Sequence, residues 1–197
     1  MEFFTGDQHL CHANAIKYFN RPFSDVETMN ETMVGNWNRT VSDEDEVYIL
    51  GDFTMRDTEY ADRFLARLRG KKYLIRGNHD YFAQHYEGRQ LEWVKDYYEL
   101  QRGGACFVLC HYPLADWNRK KHGAYHLHGH AHGDFRYNLR QLAEGTRRYD
   151  VGVDANDFTP VARDAILRFF KDTENSVPKN EKGRRGRGSL GNDKDEE

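Results

Sequence analysis

The chain is poor in cysteine and has no long hydrophobic run. Its 197 residues include three cysteines, Cys11, Cys106 and Cys110, which form no even disulfide framework and suit a reducing compartment. No apolar stretch approaches the length of a membrane span. The first residues, Met1 to Thr5, have the pattern of a strand and not that of a signal peptide. These absences predict an unprocessed cytoplasmic protein without a membrane segment.

A net positive charge is also missing. The chain has 29 Lys and Arg against 32 Asp and Glu, a formal net charge of -3 and a sequence pI of about 6.4. Proteins that bind nucleic acid usually carry a basic surface, so a long polyanion is not the expected substrate. The hydrophobic content of 38% and aromatic content of 14% are enough to fill a core.

Length and composition divide the chain into one domain and a tail. We find no internal repeat, and 197 residues fit a single core. From Glu174 the apolar periodicity ends, and the composition cannot bury enough surface to offset the entropy of ordering. We therefore predict a folded domain over residues 1–173 and a disordered charged tail over residues 174–197. The arginine-rich run from Gly183 to Gly188 could contact RNA, although a flexible tail is the simpler interpretation.

Short aromatic and β-branched runs alternate with helical patterns in the first half of the chain. Predicted strands run from Glu2 to Thr5, Glu46 to Leu50, Lys72 to Ile75, Cys106 to Cys110, Tyr125 to Leu127 and Tyr149 to Val153. Predicted helices run from Asn14 to Phe19, Asp25 to Arg39 and Thr58 to Leu68. This alternation predicts an α/β fold, in which functional groups gather at the carboxyl ends of strands.

Residues suited to binding metal follow five of these runs. They are Asp7 and His9, Gly51-Asp52, Gly77-Asn78-His79-Asp80, His111 and Gly129-His130-Ala131-His132. Any one histidine is more simply a surface or structural residue, but the joint pattern reverses those odds. Carboxylate and amide oxygens with imidazoles, and no cysteine pair, suit a dinuclear Mn, Fe, Ni or Zn centre. Such centres usually cleave phosphate esters.

Three local features support this interpretation. Asp7 and His9 are two residues apart at the end of an extended segment, so both side chains can point the same way. Asp52 follows a strand, and its two oxygens could bridge two cations about 3.5–4 Å apart. Glycines stand immediately before Asp7, Asp52 and Asn78, as expected where the backbone must turn sharply with little room for a side chain.

These motifs resemble the signature of the calcineurin-like metallophosphoesterases: Asp-x-His, Gly-Asp, Gly-Asn-His-Asp/Glu, His and Gly-His-x-His. The resemblance runs in order from about Met1 to Phe170, and no ligand position is missing. The small bacterial and phage enzymes are the nearest subgroup. The chain is similar to them in Asn20-Arg21-Pro22-Phe23, Trp37-Asn38 and Val151-Gly152-Val153-Asp154.

The resemblance implies a four-layer α/β/β/α sandwich with two mixed β-sheets. It implies that one metal is held by Asp7, His9, Asp52 and His132, and that the other is held by Asp52, Asn78, His111 and His130. It further implies that a hydroxide held between the two ions, Mn²⁺ by preference, is the nucleophile. His79 would then protonate the departing oxygen or steady the phosphate, with Asp80 fixing its ring.

The expected substrate is a small phosphomonoester or phosphodiester, with a nucleotide preferred. Arg76, Asn118 and Arg119 could bind phosphate oxygens, although solvated charges or salt bridges explain them equally well. Trp37 and Trp117 are candidates for stacking a nucleobase. A nuclease or nucleic-acid end-processing enzyme is the alternative, supported by local basic clusters but not by net charge. A metal-stabilised scaffold is a third and weaker hypothesis.

Overall fold

The computed structural model describes residues 1–174, which form nine strands and five α-helices. Nearly all of the predicted tail therefore lies outside the described residues. None of the helices formed by residues 1–174 combines the length and the apolar composition that crossing a membrane requires.

The first sheet contains five strands in the order β4-β3-β2-β1-β9. Its strands β1 to β4 are mutually parallel, and β9 is antiparallel to β1. The strands are β1 Glu2–Thr5, β2 Glu46–Ile49, β3 Lys71–Ile75, β4 Trp93–Lys95 and β9 Val161–Ala162. Because β1, β2 and β3 are adjacent and parallel, the loops that follow them meet at one edge of the sheet.

The second sheet contains four strands in the order β5-β6-β7-β8. Strands β5 and β6 form an antiparallel hairpin, whereas β6, β7 and β8 are parallel. The strands are β5 Tyr97–Arg102, β6 Ala105–Cys110, β7 Tyr125–His128 and β8 Arg148–Asp150. Both sheets are therefore mixed, as the family resemblance implied.

Alternate hydrophobic residues along the strands of the first sheet point to its two faces and fill two separate core layers. In β1, Phe3 packs in the layer beneath the helices, and Phe4 packs between the two sheets. Helices α2 and α3 cover the first sheet, while α4 hydrogen-bonds to β8 through Asn138. The helices are α1 Ala13–Tyr18, α2 Val26–Thr40, α3 Thr58–Leu65, α4 Phe135–Ala143 and α5 Arg163–Glu174. This arrangement confirms the α/β/β/α sandwich.

Three local expectations are wrong. Helix α3 ends at Leu65 and not at Leu68. Strand β8 ends at Asp150, and the chain then enters a short 3-10 helix, Val153–Ala155. Trp37 and Trp117 are 3% and 7% exposed and donate their indole N–H groups to backbone carbonyls. Neither tryptophan presents a face on which a nucleobase could stack.

Candidate metal centre

The five motif segments converge where strands of the two sheets end. Backbone hydrogen bonds tie the loops together, from the N–H of Asp7 to the carbonyl of Gly51 at 2.9 Å and from that of His9 to the carbonyl of Asp52 at 2.9 Å. The loops of the second sheet are joined in the same way, from the N–H of Gly129 to the carbonyl of His111 at 3.0 Å. The side chains are therefore aimed by a hydrogen-bonded backbone.

Five of the seven predicted ligands have a left-handed backbone conformation. They are Asp7, His9, Asp52, His130 and His132, with φ values of 57°, 51°, 54°, 66° and 45°. Each such residue costs about 1–3 kcal/mol, somewhat less for Asp and His, which tolerate this region better than most residues. Strain of this kind persists only where the surrounding structure enforces it, and its concentration here marks a functional site.

Two glycines leave the space that the cluster needs. A Cβ atom on Gly77 would lie 2.2 Å from Asp52 Oδ1, and one on Gly51 would lie 2.4 Å from His111 Nδ1. Gly51 also has a φ of +87°, which a side chain would strain. Any substitution at either glycine would displace a predicted ligand.

The first ligand group consists of Asp7, His9, Asp52 and His132, whose ligand atoms all lie within 4.8 Å of one another. His9 Nε2 is 3.3 Å from His132 Nε2 and 3.5 Å from Asp52 Oδ2. Asp7, His9 and Asp52 are at most 1% exposed. Burial lowers the pKa of His9 to about 2, so its ring is neutral and can offer a lone pair to a cation.

A buried ion pair supports this group from behind. Asp154 Oδ2 accepts a hydrogen bond from His132 Nδ1 at 2.9 Å, and both carboxylate oxygens accept from the guanidinium of Arg21 at 2.8 and 2.9 Å. Arg21 also donates to the backbone carbonyls of Asp7 and Gln8. Although burial raises it, the pKa of Asp154 is held below its usual value by the hydrogen bonds from His132 and Arg21.

The second ligand group consists of Asp52, His111 and His130, again within 4.8 Å, with Asn78 beside it. His111 Nε2 is 3.6 Å from Asp52 Oδ2 and 3.1 Å from Asn78 Oδ1. The Nδ1 atom of His111 donates to the carbonyl of Leu50 at 2.8 Å. Asn78 and His130 are exposed, so this group faces solvent.

The hydrogen bonds show which ring nitrogen carries a proton in two of the histidines. Because a carbonyl and an ionised carboxylate can only accept, Nδ1 carries the proton in both His111 and His132. Burial lowers the pKa of His111, and in its neutral ring the Nε2 lone pair faces Asp52 Oδ2 at 3.6 Å and Asn78 Oδ1 at 3.1 Å. A lone pair and acceptor oxygens at 3.1–3.6 Å repel one another unless a cation lies between them. Ligand atoms that bind one ion at about 2.0–2.2 Å are separated from one another by distances like those between the Nε2 atom of His111 and its neighbouring oxygens. The residues therefore fit divalent metals.

Asp7 is a buried carboxylate at the centre of the first ligand group. It is fully buried, and both its oxygens accept the backbone N–H of His130, at 3.0 and 2.9 Å. Burial and the neighbouring Asp150 raise the pKa of Asp7 well above its usual value. A divalent cation would reverse this shift, because an opposite charge favours the ionised form.

The structure contradicts the expected pairing of Asp80 with His79. The Asp80 carboxylate accepts three backbone N–H groups, from Asp52, Phe53 and Gly77, at 2.8–2.9 Å, and the residue is 1% exposed. The Nδ1 atom of His79 is buried and has no hydrogen-bond partner. Asp80 therefore holds the loop backbone and does not orient the imidazole. The ring of His79 instead contacts that of His9, with centroids 5.4 Å apart.

The predicted phosphate-binding residues fall in two different places. Arg76 lines a cavity with Asn78 and is ion-paired with Asp96, its Nη2 lying 2.6 Å from Asp96 Oδ1. Asn118 donates to both oxygens of Glu99, at 3.2 and 3.0 Å, and Arg119 follows it in a left-handed conformation. A role in substrate binding stays a prediction for all three. The side-chain amide of Asn118 is already hydrogen-bonded to Glu99, which explains this residue without a substrate.

Sequence reasoning missed three residues of the centre. Arg21 had no assigned role, although its Asn-Arg-Pro-Phe motif was a signal. Asp150 is buried and accepts the N–H groups of Gly133 and Gly152 beside Asp7. No role was predicted for His12, yet its ring lies 5.5 Å from that of His9 and its buried Nδ1 has no partner.

Comparison with known proteins identifies the family. The family model of the calcineurin-like phosphoesterases matches residues 3–181, and the chain belongs to this family. It is 34% identical over 171 residues to an uncharacterised protein of Methanocaldococcus jannaschii, covering 86% of this chain and 90% of that one. It is 29% identical over 204 residues to the Gene 66 protein of Mycobacterium phage D29, covering 88% and 98%.

A solved structure shares the fold. A protein of unknown function from Aquifex aeolicus superposes with a TM-score of 0.69 at 25% identity, covering 85% of this chain and 98% of that one. Family membership and the cluster of carboxylates and histidines together indicate a metal-dependent phosphoesterase, and thus a hydrolase.

Proposed function

We propose that this protein hydrolyses small phosphomonoesters or phosphodiesters with two divalent metal ions, and that a nucleotide is the preferred substrate. The observation that carries the proposal is the position of Asp52, which belongs to both ligand groups. One carboxylate shared by two groups of imidazoles is the arrangement that a two-metal site requires.

The protein side chains have separate tasks in this proposal. Asp7, His9, Asp52 and His132 would hold one ion, and Asp52, Asn78, His111 and His130 the other. Two such ions, with Mn²⁺ favoured and Fe, Ni or Zn as alternatives, would neutralise the phosphate charge and lower the pKa of water. The exposed Asn78 and His130 leave the second group open to an incoming phosphate ester.

His79 is assigned to the leaving group. Its backbone N–H donates to Asp52 Oδ1 at 2.9 Å, which fixes the residue at the edge of the cluster. Its ring is half-buried, is not among the clustered ligand atoms and has an unpartnered Nδ1. A histidine free of metal can donate a proton or hydrogen bond to the departing oxygen, and such catalysis contributes about 10²–10⁴-fold.

The test combines metal analysis with a pair of substrates. The protein is loaded with Mn²⁺ and assayed on bis(p-nitrophenyl) phosphate and on an alkyl ester with a poor leaving group. His79→Ala should lower kcat by about 100-fold or more on the alkyl ester and less on the nitrophenyl ester, with unchanged metal content. Full kcat of this variant on the alkyl ester would refute the role of His79. Metal-loaded wild-type protein without turnover on any phosphate ester would refute the proposed activity and favour a scaffold.

The nuclease alternative was suggested by two basic clusters, Arg119-Lys120-Lys121 and Arg147-Arg148. Within these clusters, Lys120 donates to the carbonyl of Ala115, and Arg148 donates to Gln141. These two charges already have partners within the fold, which weakens the support for the alternative. Cleavage of oligonucleotides that falls steeply with added salt would nevertheless favour this alternative. A cytoplasmic location remains a prediction from the sequence.

A further inference from the structure

A cavity opens directly beside the second ligand group. It has a volume of about 470 Å³ and is lined by Arg76, Asn78, Tyr81, Gln84 and His85, with the backbone of Gly77 and Asp80. We call this cavity the side groove. Because Asn78 belongs both to the groove wall and to the proposed metal centre, a phosphate bound at the centre would place its ester substituent within reach of the groove.

Tyr81 places an exposed aromatic ring in the groove, and a bound ligand could cover this ring. The side chain is 61% exposed, although an aromatic ring is stabilised by burial. Within residues 1–174, no other ring stacks on Tyr81 and no hydrogen bond reaches its hydroxyl group. Other exposed tyrosines have partners: the ring of Tyr112 packs on that of His130, and Tyr97 donates to Glu99.

The backbone on both sides of Tyr81 is fixed. Asp80 accepts three backbone N–H groups, and Phe82 is 7% exposed and belongs to the core. The N–H of Tyr81 itself donates to the carbonyl of His79 at 3.0 Å. The backbone that carries the ring is therefore already ordered, so a ligand would have to restrict only the side-chain torsions of Tyr81.

The remaining walls are polar and carry groups that can match a heterocycle. Gln84 offers an amide donor and acceptor, His85 offers an imidazole, and both are exposed. The guanidinium of Arg76 directs Nε and Nη2 to a single oxygen of Asp96, at 2.9 and 2.6 Å. One aromatic face among hydrogen-bonding side chains favours a planar base over an aliphatic chain. The volume lies within the range of about 300–1,000 Å³ typical of small-molecule sites.

We propose that the side groove is a nucleobase subsite, in which Tyr81 stacks on the base of a nucleoside phosphate ester whose phosphate lies at the metal centre. This inference rests on the proposed phosphoesterase function and adds the part of the substrate that is recognised. Tyr81 is a specificity-determining residue in this scheme and takes no part in bond cleavage.

The test uses two ribose phosphates, of which one carries a base and the other a hydroxyl group at the same carbon. Adenosine 5'-monophosphate and ribose 5-phosphate are compared as inhibitors of bis(p-nitrophenyl) phosphate hydrolysis by the metal-loaded full chain. The inhibition constant should be at least about 5-fold lower for the nucleotide, because stacking of one base on an aromatic ring contributes a factor of about 5–150. Tyr81→Ala should remove most of this advantage, and Tyr81→Phe should keep it. Tyr97→Ala, which changes an exposed tyrosine outside the groove, should leave the ratio unchanged.

Two results would overturn the inference: equal inhibition by the two ligands in the wild type, or a preference for the nucleotide that survives in Tyr81→Ala. Failure of the proposed function is a different observation, namely no turnover of any phosphate ester. In that event, calorimetric titration of the metal-loaded protein with the same two ligands tests the groove by itself.

Discussion

The two halves of the metal centre are built differently. The half around His9 and His132 is buried. It is supported by the ion pair of Arg21 with Asp154, because the Asp154 carboxylate also accepts a hydrogen bond from His132. In the half around His111 the ring is held by the carbonyl of Leu50, and two predicted ligands, Asn78 and His130, are exposed. Under the proposed two-metal mechanism, this contrast would suit one half to retaining an ion and the other to admitting substrate.

The carboxylate shared by both halves should give the largest effect when it is changed. Asp52→Asn keeps an oxygen that can accept the N–H of His79 but loses the charge between the two groups. Turnover should fall by more than about 100-fold, since even residues behind the ligands typically contribute 10–100-fold to affinity or activity. Metal content measured by mass spectrometry should fall in parallel. Asp116→Asn, a change of an exposed carboxylate used as a control, should alter neither turnover nor metal content. A fully active, metal-loaded Asp52→Asn protein would contradict the bridging role of Asp52.

A change behind the buried half should affect that half alone. Asp154→Asn weakens the hydrogen bond to His132 and leaves the buried Arg21 without its counter-charge. We expect affinity for the tighter ion to fall by about 10–100-fold. The free energy of unfolding should fall by about 3 kcal/mol, because an unpaired buried charge is costly. Metal titration and urea unfolding measure the two effects. If only the weaker ion were affected, the assignment of the two halves would be reversed.

Asn78→Ala is the matched change on the exposed side. It removes a neutral oxygen 3.1 Å from His111 Nε2, at a position open to solvent. Affinity for the weaker ion should fall by about 10-fold, at the lower end of the usual range for changes at metal sites. Stability should hardly change, because no buried group loses its partner. Equal losses at both ions would show that the two halves are not independent.

The smallest effect on metal binding concerns the support of the exposed half by His126. Its Nε2 accepts the N–H of Leu114, in the segment after His111, and its Nδ1 donates to the carbonyl of Val108. Burial lowers the pKa of His126 to about 4. The unfolded chain titrates near pH 6.5 and so binds more protons than the folded chain between these values, which means that stability falls as pH falls.

The expected loss is about 2 kcal/mol between about pH 7.5 and about pH 5. Urea unfolding at the two pH values measures it. His126→Gln should remove this part of the acid sensitivity and leave metal binding at neutral pH nearly unchanged. An unaltered dependence on pH in the variant would show that other groups, such as the buried His128, account for the effect.

Local sequence patterns identified the strands that carry the centre. Strands β1, β2, β3, β6 and β7 were predicted within one residue or two because each is buried and rich in aromatic or β-branched side chains. Strand β5 was not predicted, since it is partly exposed and carries Glu99 and Arg102. Strands β4 and β9 have only three and two residues, too few for periodicity to show.

The supporting residues of the centre were harder to predict than the candidate ligands. Arg21 and Asp154 are 133 positions apart, and only the packing of the fold brings their side chains together. The expected contact of Asp80 with His79 was wrong because adjacent residues need not share a hydrogen bond. Backbone N–H groups from other loops already occupy the Asp80 carboxylate.

The sequence by itself determined the family, the α/β class and the set of candidate ligands, because residue type and spacing at strand ends are local properties. Tertiary structure alone decided which ligands meet, which half of the centre is buried and where Tyr81 stands beside it. Burial, hydrogen-bond partners and pKa depend on residues distant in the chain. Those quantities exist only once the two sheets have packed together.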